Sequence, residues 1–395
     1  MTRKIGMFLP ALLWVCASTV LASAQATSSP TENQASTSPV AYVYVASYVS
    51  STGTYQVNGY AAAANGALTP IPGSPFPDSL QYLALNGRWL FATEFSASGT
   101  DQNVDSYSIA SNGALSFAQR IQVNDSGGGP IKLLLDHTGS SLYVDYYNAN
   151  NDCLSYSIDQ SNGAITYLST LYEGPGTGCA ASFTGNNDFV YSSSCYHFSA
   201  LIYGEQRNSD GTLSRLNINP ALPTPPPGTG FCPNTAAADP FNHVAIPVTP
   251  VQGGFGYNEG ATQLAVYTAD SSGNLTTNST YLNMPKTAVV PTGGGTYFAN
   301  DSWMSPSGKL LAVAGSLGLQ LFHFNGANPI THYTGLLTHN EIIQMFWDNA
   351  NHLYAISPSA GLLYVWTASP SGVKPAPGSP YAIPSPQSLV VLPKT

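Results

Sequence analysis

The chain has 395 residues, of which 8% are charged: 11 Lys and Arg stand against 20 Asp and Glu. So few basic groups leave no electrostatic footprint for nucleic acid or for an anionic membrane surface, and no nucleic-acid partner is expected. With 43% hydrophobic residues, 24 Tyr and 15 Phe, the chain also lacks the composition of a disordered protein.

Residues 1–24 read as a secretory signal peptide: Arg3 and Lys4, an apolar run over 5–21, then Ala22-Ser23-Ala24 as an A-x-A cleavage site. A lipoprotein signal would use Cys16, but Trp14 and Val15 precede it where small residues are required. Cleavage removes Arg3 and Lys4 and leaves a mature net charge of about −11. Residues 25–40 are rich in Ser, Thr and Pro without hydrophobic periodicity, which predicts a flexible leader. Beyond the signal no apolar run reaches the roughly 18 residues of a membrane span. The mature chain is therefore expected to have no transmembrane segment and to be secreted, extracellular or periplasmic.

From residue 41 a repeat sets in. A Gly-containing turn followed by an apolar residue recurs as Asn65-Gly66-Ala67-Leu68, Asn112-Gly113-Ala114-Leu115, Asn162-Gly163-Ala164-Ile165, Asp210-Gly211-Thr212-Leu213 and Ser272-Gly273-Asn274-Leu275. Weaker copies follow at Asn325-Gly326 and Ser371-Gly372-Val373. Asn-Gly and Asp-Gly between apolar alternations predict hairpin turns, because they supply the positive φ that a tight turn needs. Before the turns lie strands over 57–60, 104–109, 154–158, 201–203, 264–267, 319–324 and 362–366. Before those lie strands over 42–46, 89–93, 142–145, 189–192, 243–248, 310–314 and 353–356. An innermost set covers 81–85, 131–135, 180–183, 235–238, 303–304 and 342–347, one member too few. The missing member is at the other end of the chain, in 388–392.

The fold expected for 41–395 is therefore all-β: a seven-bladed β-propeller of four-stranded antiparallel blades, about 51 residues each. The C-terminal strand completes the first blade and closes the ring, leaving no open sheet edge.

The phrases Gly73-Ser74-Pro75-Phe76 and Gly378-Ser379-Pro380-Tyr381, the Asn-Gly turns and Ser305-Pro306-Ser307-Gly308-Lys309-Leu310 carry a likeness to known proteins. Over essentially all of 41–395 the sequence resembles the seven-bladed lactonase family, which includes the propeller-type 6-phosphogluconolactonases and the YVTN-repeat surface proteins. The resemblance implies an active site at the central opening, built from His, Glu and Arg near the starts of the inner strands. Those starts read SLQY, GPIK, GCAA, CPNT, DSWM, NEII and PQSL, with neither His nor Arg, so no catalytic residue is carried over.

Four antiparallel strands per blade send the loops alternately to the two faces of the disc. The longest loops, over 217–232, 249–261 and 281–300, share one face, and loops of that length are usually functional. His137, His243 and His352 belong to the short hairpins of the other face, where a polar turn residue is the ordinary reading. On the long-loop face lie His197, His332 and His339, with Glu94, Asp125, Glu173, Glu259, Asp301 and Glu341. Asp301 and Glu341 directly precede inner strands and should point at the channel mouth, with His339 beside Glu341. Asp301, His339, Glu341 and His197 are accordingly the catalytic candidates, since a His–carboxylate set can activate water. No cofactor is expected. No metal is expected either: Asp270-Ser271-Ser272-Gly273-Asn274 resembles part of a calcium loop, but it is a blade turn with no distal Glu. Trp347-Asp348 matches the WD dipeptide of other propellers without the pattern that accompanies it, and reads as coincidence.

Export makes disulfides the natural state of the four mature cysteines, Cys153, Cys179, Cys195 and Cys232. Equivalent positions in successive blades favour Cys179–Cys232 with Cys153–Cys195, and Cys179–Cys195 is the competing pair. Two functions from different classes remain. The first is a monomeric binding or scaffold module for a neutral small molecule, glycan or peptide on the long-loop face, suggested by the wealth of Tyr and Asn. The alternative is a lactonase-type hydrolase with a rearranged active site at the channel mouth.

Overall fold

Short continuous apolar runs such as Ala41–Ala46 and Leu310–Ala314, recurring about every fifty residues between Gly turns, produce second strands whose two faces are both buried. The computed structural model describes residues 38–94, 103–123, 129–147, 152–172, 179, 182–196, 199–218, 220–252, 257–293, 295 and 297–394. The signal peptide, most of the leader, His197, Asp125 and Glu173 lie outside the described residues. Seven antiparallel sheets are arranged in sequence order around a ring, and no helix occurs among the described residues. Blade 1 closes as expected. Its inner strand is Pro386–Pro393, paired with Ala41–Val49 from Ala41↔Pro393 to Ser47↔Pro386. The inner strands of blades 2 to 7 are Leu80–Asn86, Gly129–Leu135, Ser182–Phe183, the broken strand Thr229–Pro233 plus Ala237–Ala238, Asp301–Met304 and Gln344–Trp347.

The core is a set of seven radial layers, one between each pair of adjacent blades. Val43, Val45, Tyr354 and Val365 fill the layer between blades 7 and 1, and Phe91, Val144 and Leu154 fill that between blades 2 and 3. In blades 1, 3 and 4 a second-strand tyrosine pins the blade to the next. Tyr44 donates its hydroxyl to the carbonyl of Gly113 at 2.7 Å, Tyr143 to Gly211 at 2.9 Å and Tyr191 to Gly273 at 2.8 Å. The acceptors are the turn glycines of the repeat, so each turn is shaped both by its positive φ and by a neighbour's phenol. Much of the Tyr content that suggested ligand binding is thus structural: Tyr44, Tyr143, Tyr146, Tyr191, Tyr267 and Tyr354 are fully buried.

The two Gly-Ser-Pro phrases have one job in two blades. Ser74 Oγ accepts the Gly59 N–H at 2.9 Å and Ser379 Oγ accepts the Val365 N–H at 2.8 Å, each satisfying the outer edge of a third strand. Trp347-Asp348 is also structural. Asp348 accepts the N–H groups of Ala350 and His352, the His352 Nδ1 proton at 2.7 Å and the Tyr354 hydroxyl at 2.8 Å, all within a buried hairpin.

The layer between blades 3 and 4 differs. Beside Tyr143, Val190 and Leu213 it holds the disulfide Cys153–Cys179 and the carboxyls of Asp145 and Glu205. Glu205 is 1% exposed, and neither of its carboxylate oxygens has a hydrogen-bond partner. Burial pushes its pKa up to about 8.

Candidate functional site

The starts of all seven inner strands converge on the axis of the ring, where they enclose a cavity of about 700 Å³. Its far end, toward the short hairpins, is closed by carboxyls that already have partners. Asp136 meets Arg207 at 3.0 Å and Asp239 meets His243 at 2.8 Å. The end toward the long loops is the chemically open one.

Asp301 begins the inner strand of blade 6 and lines this end. The N–H groups of Ser302 and Met345 donate to its two oxygens at 2.9 and 2.8 Å. Met345 belongs to the next blade, so the carboxyl is held across a blade junction. Burial in the channel wall pushes its pKa up to about 7, against the lowering pull of the Met345 N–H and of Lys132. Lys132 lines the same cavity from blade 3, three positions around the ring of seven. It is the one Lys or Arg among the lining residues, and among the described residues it makes neither a hydrogen bond nor an ion pair. Its register partner on the second strand of blade 3 is Asp145. Burial pushes Asp145 up to about 6, against Lys132 and the Cys179 N–H, and its Oδ1 has no hydrogen-bond partner.

Amides and aromatic rings complete the mouth. Gln344 Oε1 accepts the Leu389 N–H at 2.7 Å, which leaves its Nε2 for the cavity. Trp303 and Phe346 form a tilted pair with ring centroids 4.3 Å apart in the cavity wall. Thr235 lies where the inner strand of blade 5 is broken, at φ 57°. A β-branched residue pays roughly 1–3 kcal/mol for the left-handed region. The conformation is held by Ser193 Oγ donating to the Thr235 carbonyl at 2.6 Å, with Thr235 Oγ1 at 3.3 Å from Ser302 Oγ.

Of the catalytic candidates, Asp301 reaches the channel. His339 is exposed and Glu341 is partly exposed on the connection over 339–343. Neither lines the cavity, and no hydrogen bond or ion pair joins them among the described residues. His197 lies outside the described residues. Lys132 stands in GPIK at an inner-strand start, but the family resemblance points to His, Glu and Arg there and not to Lys. Asp145 was hidden because nothing in a second strand marks a residue as facing an ammonium.

The cysteines pair as Cys153–Cys179 and Cys195–Cys232, with Cα atoms 5.0 and 5.2 Å apart. This corrects both pairings expected from sequence. Equivalent positions in successive blades diverge with distance from the axis, whereas the chain entering each new inner strand crosses beside the upper ends of the preceding blade. Each disulfide ties such an entry to the blade before it: Cys179 to the third strand of blade 3, and Cys232 to the second strand of blade 4.

Ring, blade count and axial cavity define a seven-bladed β-propeller whose channel mouth presents one carboxyl, one ammonium, amides and an aromatic pair. The model of the family described as lactonase, 7-bladed beta-propeller, matches residues 42–181. The chain is thus similar to the seven-bladed lactonase propellers. Solved structures with this fold include a putative 6-phosphogluconolactonase from Bacteroides fragilis, at 15% identity and a TM-score of 0.64, covering 89% of this chain and 97% of that one. The periplasmic gluconolactonase of Pseudomonas aeruginosa matches at 16% identity and a TM-score of 0.60, over 89% and 98% of the two chains. A protein from Lactobacillus plantarum matches at 14% identity and 0.65, over 89% and 99%. At these identities the likeness is one of fold. No curated protein sequence matches the chain.

Proposed function

We propose that the protein is an exported propeller that binds a neutral, hydroxyl-rich small molecule of the sugar or sugar-lactone class in the mouth of its central channel. The observation that carries this reading is the convergence on one cavity of the Trp303–Phe346 pair, the Gln344 Nε2 and Asp301. Flat apolar rings suit the C–H face of a sugar, and a carboxyl and amides suit its hydroxyls. Export is supported by the signal over 1–24, the leader over 25–40, the two disulfides and the periplasmic relative. The propeller then spans 41–395. Among the described residues no helix is long and apolar enough to cross a membrane.

A second reading, lactone hydrolysis, is favoured by one specific feature. The Asp301 carboxyl has a pKa of about 7 and faces an ammonium, as a general base opposite a cation for a developing oxyanion requires. In this reading Asp301 takes a proton from water as its oxygen attacks the lactone carbonyl. It returns the proton to the ring oxygen as the C–O bond breaks.

Calorimetric titration with glucose, glucono-1,5-lactam and short glucans tests the first reading, and proton release from fresh glucono-1,5-lactone tests the second. Saturable binding weakened at least ten-fold in Trp303→Ala is expected. Turnover lost in Asp301→Asn would make the protein a hydrolase. Absence of binding and turnover in folded protein would overturn both.

A further inference from the structure

Charges in the channel are unevenly partnered. Asp136 and Asp239 at the far end each have a cationic or hydrogen-bonded partner within 3.0 Å. At the mouth Lys132 stands apart. It is opposite Asp145 in the strand register, faces Asp301 across the channel, and contacts neither as an ion pair among the described residues. Its field is nonetheless felt by both carboxyls, each of which it draws toward ionisation. Of the remaining titratable groups of the cavity wall, His137 is at the far end, where burial disfavours its charged form, and Tyr82 is a phenol whose pKa burial raises, so it stays neutral.

We infer that the channel mouth selects its ligand by charge: Asp145 and Asp301 cancel the field of Lys132, so the site takes an uncharged polyhydroxy ligand in preference to its phosphorylated or carboxylate form. Binding of a phosphate or carboxylate needs several N–H donors or an uncompensated cation, usually a bidentate Arg or a cluster of basic groups. This mouth has one ammonium and no Arg, and any anion drawn to Lys132 enters the repulsive field of two carboxyls. A neutral hydroxyl meets no such opposition. It accepts from Lys132 and donates to Asp301, while Asp145 works from behind the wall without touching it. Asp145 is therefore a positioning residue that sets specificity. Its Oδ1 makes no hydrogen bond, so Asp145→Asn removes a charge and leaves the shape of the wall in place.

The inference rests on the proposed binding of a sugar-like ligand, and the test separates the two. Glucose and glucono-1,5-lactam serve as neutral probes, with glucose 6-phosphate and gluconate as their anionic counterparts, titrated calorimetrically at pH 7.5 into the full mature protein. At least a ten-fold preference for the neutral probes is expected in the wild type. In Asp145→Asn the ratio of anion to neutral affinity should rise at least ten-fold, and the rise should shrink as salt is added. In Lys132→Met the anions should weaken further relative to the neutral probes. Anions binding as tightly as neutral probes in the wild type would overturn the charge inference and leave the binding reading intact. An unchanged ratio in folded Asp145→Asn would overturn the role of Asp145. Binding of none of the four probes would remove both proposals together.

Discussion

The carboxyl of Glu205 makes a sharp test of how the blade layers are held. It is buried between blades 3 and 4 without a hydrogen-bond partner, and its pKa is pushed up to about 8. In the unfolded chain it returns to its ordinary value of 4.5. Between these values the folded state keeps a proton that the unfolded state releases. The group's contribution to stability is therefore complete below about pH 4.5 and is lost as pH rises through about 8. At about 1.4 kcal/mol per pH unit, the loss is on the order of 3 kcal/mol by pH 7 and roughly 5 kcal/mol above pH 8. Unfolding entropies of about 2 cal/mol/K per residue convert these to roughly 4 °C and 6 °C in Tm for a propeller of this length. Glu205→Gln removes the titration and keeps the shape. Thermal unfolding followed by circular dichroism from pH 5 to pH 9 should give nearly equal Tm values at pH 5 and a variant increasingly more stable as pH rises. Two curves that run parallel across that range would refute the reasoning, because the carboxyl would then have a partner that stabilises its charged form.

Asp136 is buried and accepts from Thr138, the Ser141 N–H and Asn187 while paired with Arg207, so Asp136→Ala should cost about 3–5 kcal/mol in urea unfolding; a loss near zero would show the ion pair to be dispensable. Gly163 has φ 74°, and a Cβ there would lie 2.4 Å from the Trp89 ring, so Gly163→Ala should lower stability by roughly 2 kcal/mol or more, read as a lower urea midpoint. Removing the Cys153–Cys179 bridge, with a sequence separation of 26, by the double Ser substitution should cost about 3–4 kcal/mol, whereas a denaturation midpoint unchanged from wild type would mean that the bridge constrains nothing.

The architecture could be read from the sequence because it repeats. One turn glycine is weak evidence, but Gly66, Gly113, Gly163, Gly211 and Gly273, each followed two residues later by Leu or Ile, make each hairpin support the others. The shortage of one inner strand then located 388–392 in blade 1. The site was less legible, since it depends on which residues face each other across a ring. Asp301 could be placed because it directly precedes an inner strand. Glu341 occupies a similar sequence position, yet it ends on the connection outside the cavity, because the inner strand of blade 7 begins three residues later, at Gln344. Lys132 and Asp145 come together through strand register and blade order, which no local pattern reports. The cysteines failed for a similar reason: like positions in successive blades are not neighbours when the blades fan outward.

The closing of blade 1 has a consequence in time. Ala41 meets Pro393, so the strand Ala41–Val49 waits for residues about 350 positions later to be made. Closing a loop of about 350 residues costs on the order of 5 kcal/mol in chain entropy before any contact offsets it. Until then the strand Ala41–Val49 has an open edge, and the channel lacks the wall that includes Gln387 and Ser388. Blade 1 can therefore assemble only after residues 386–393 have been made. A lesion that removes residues 386–395 would release a chain with most of its sheets intact and one wall of the channel missing, a species that far-ultraviolet circular dichroism would score as folded.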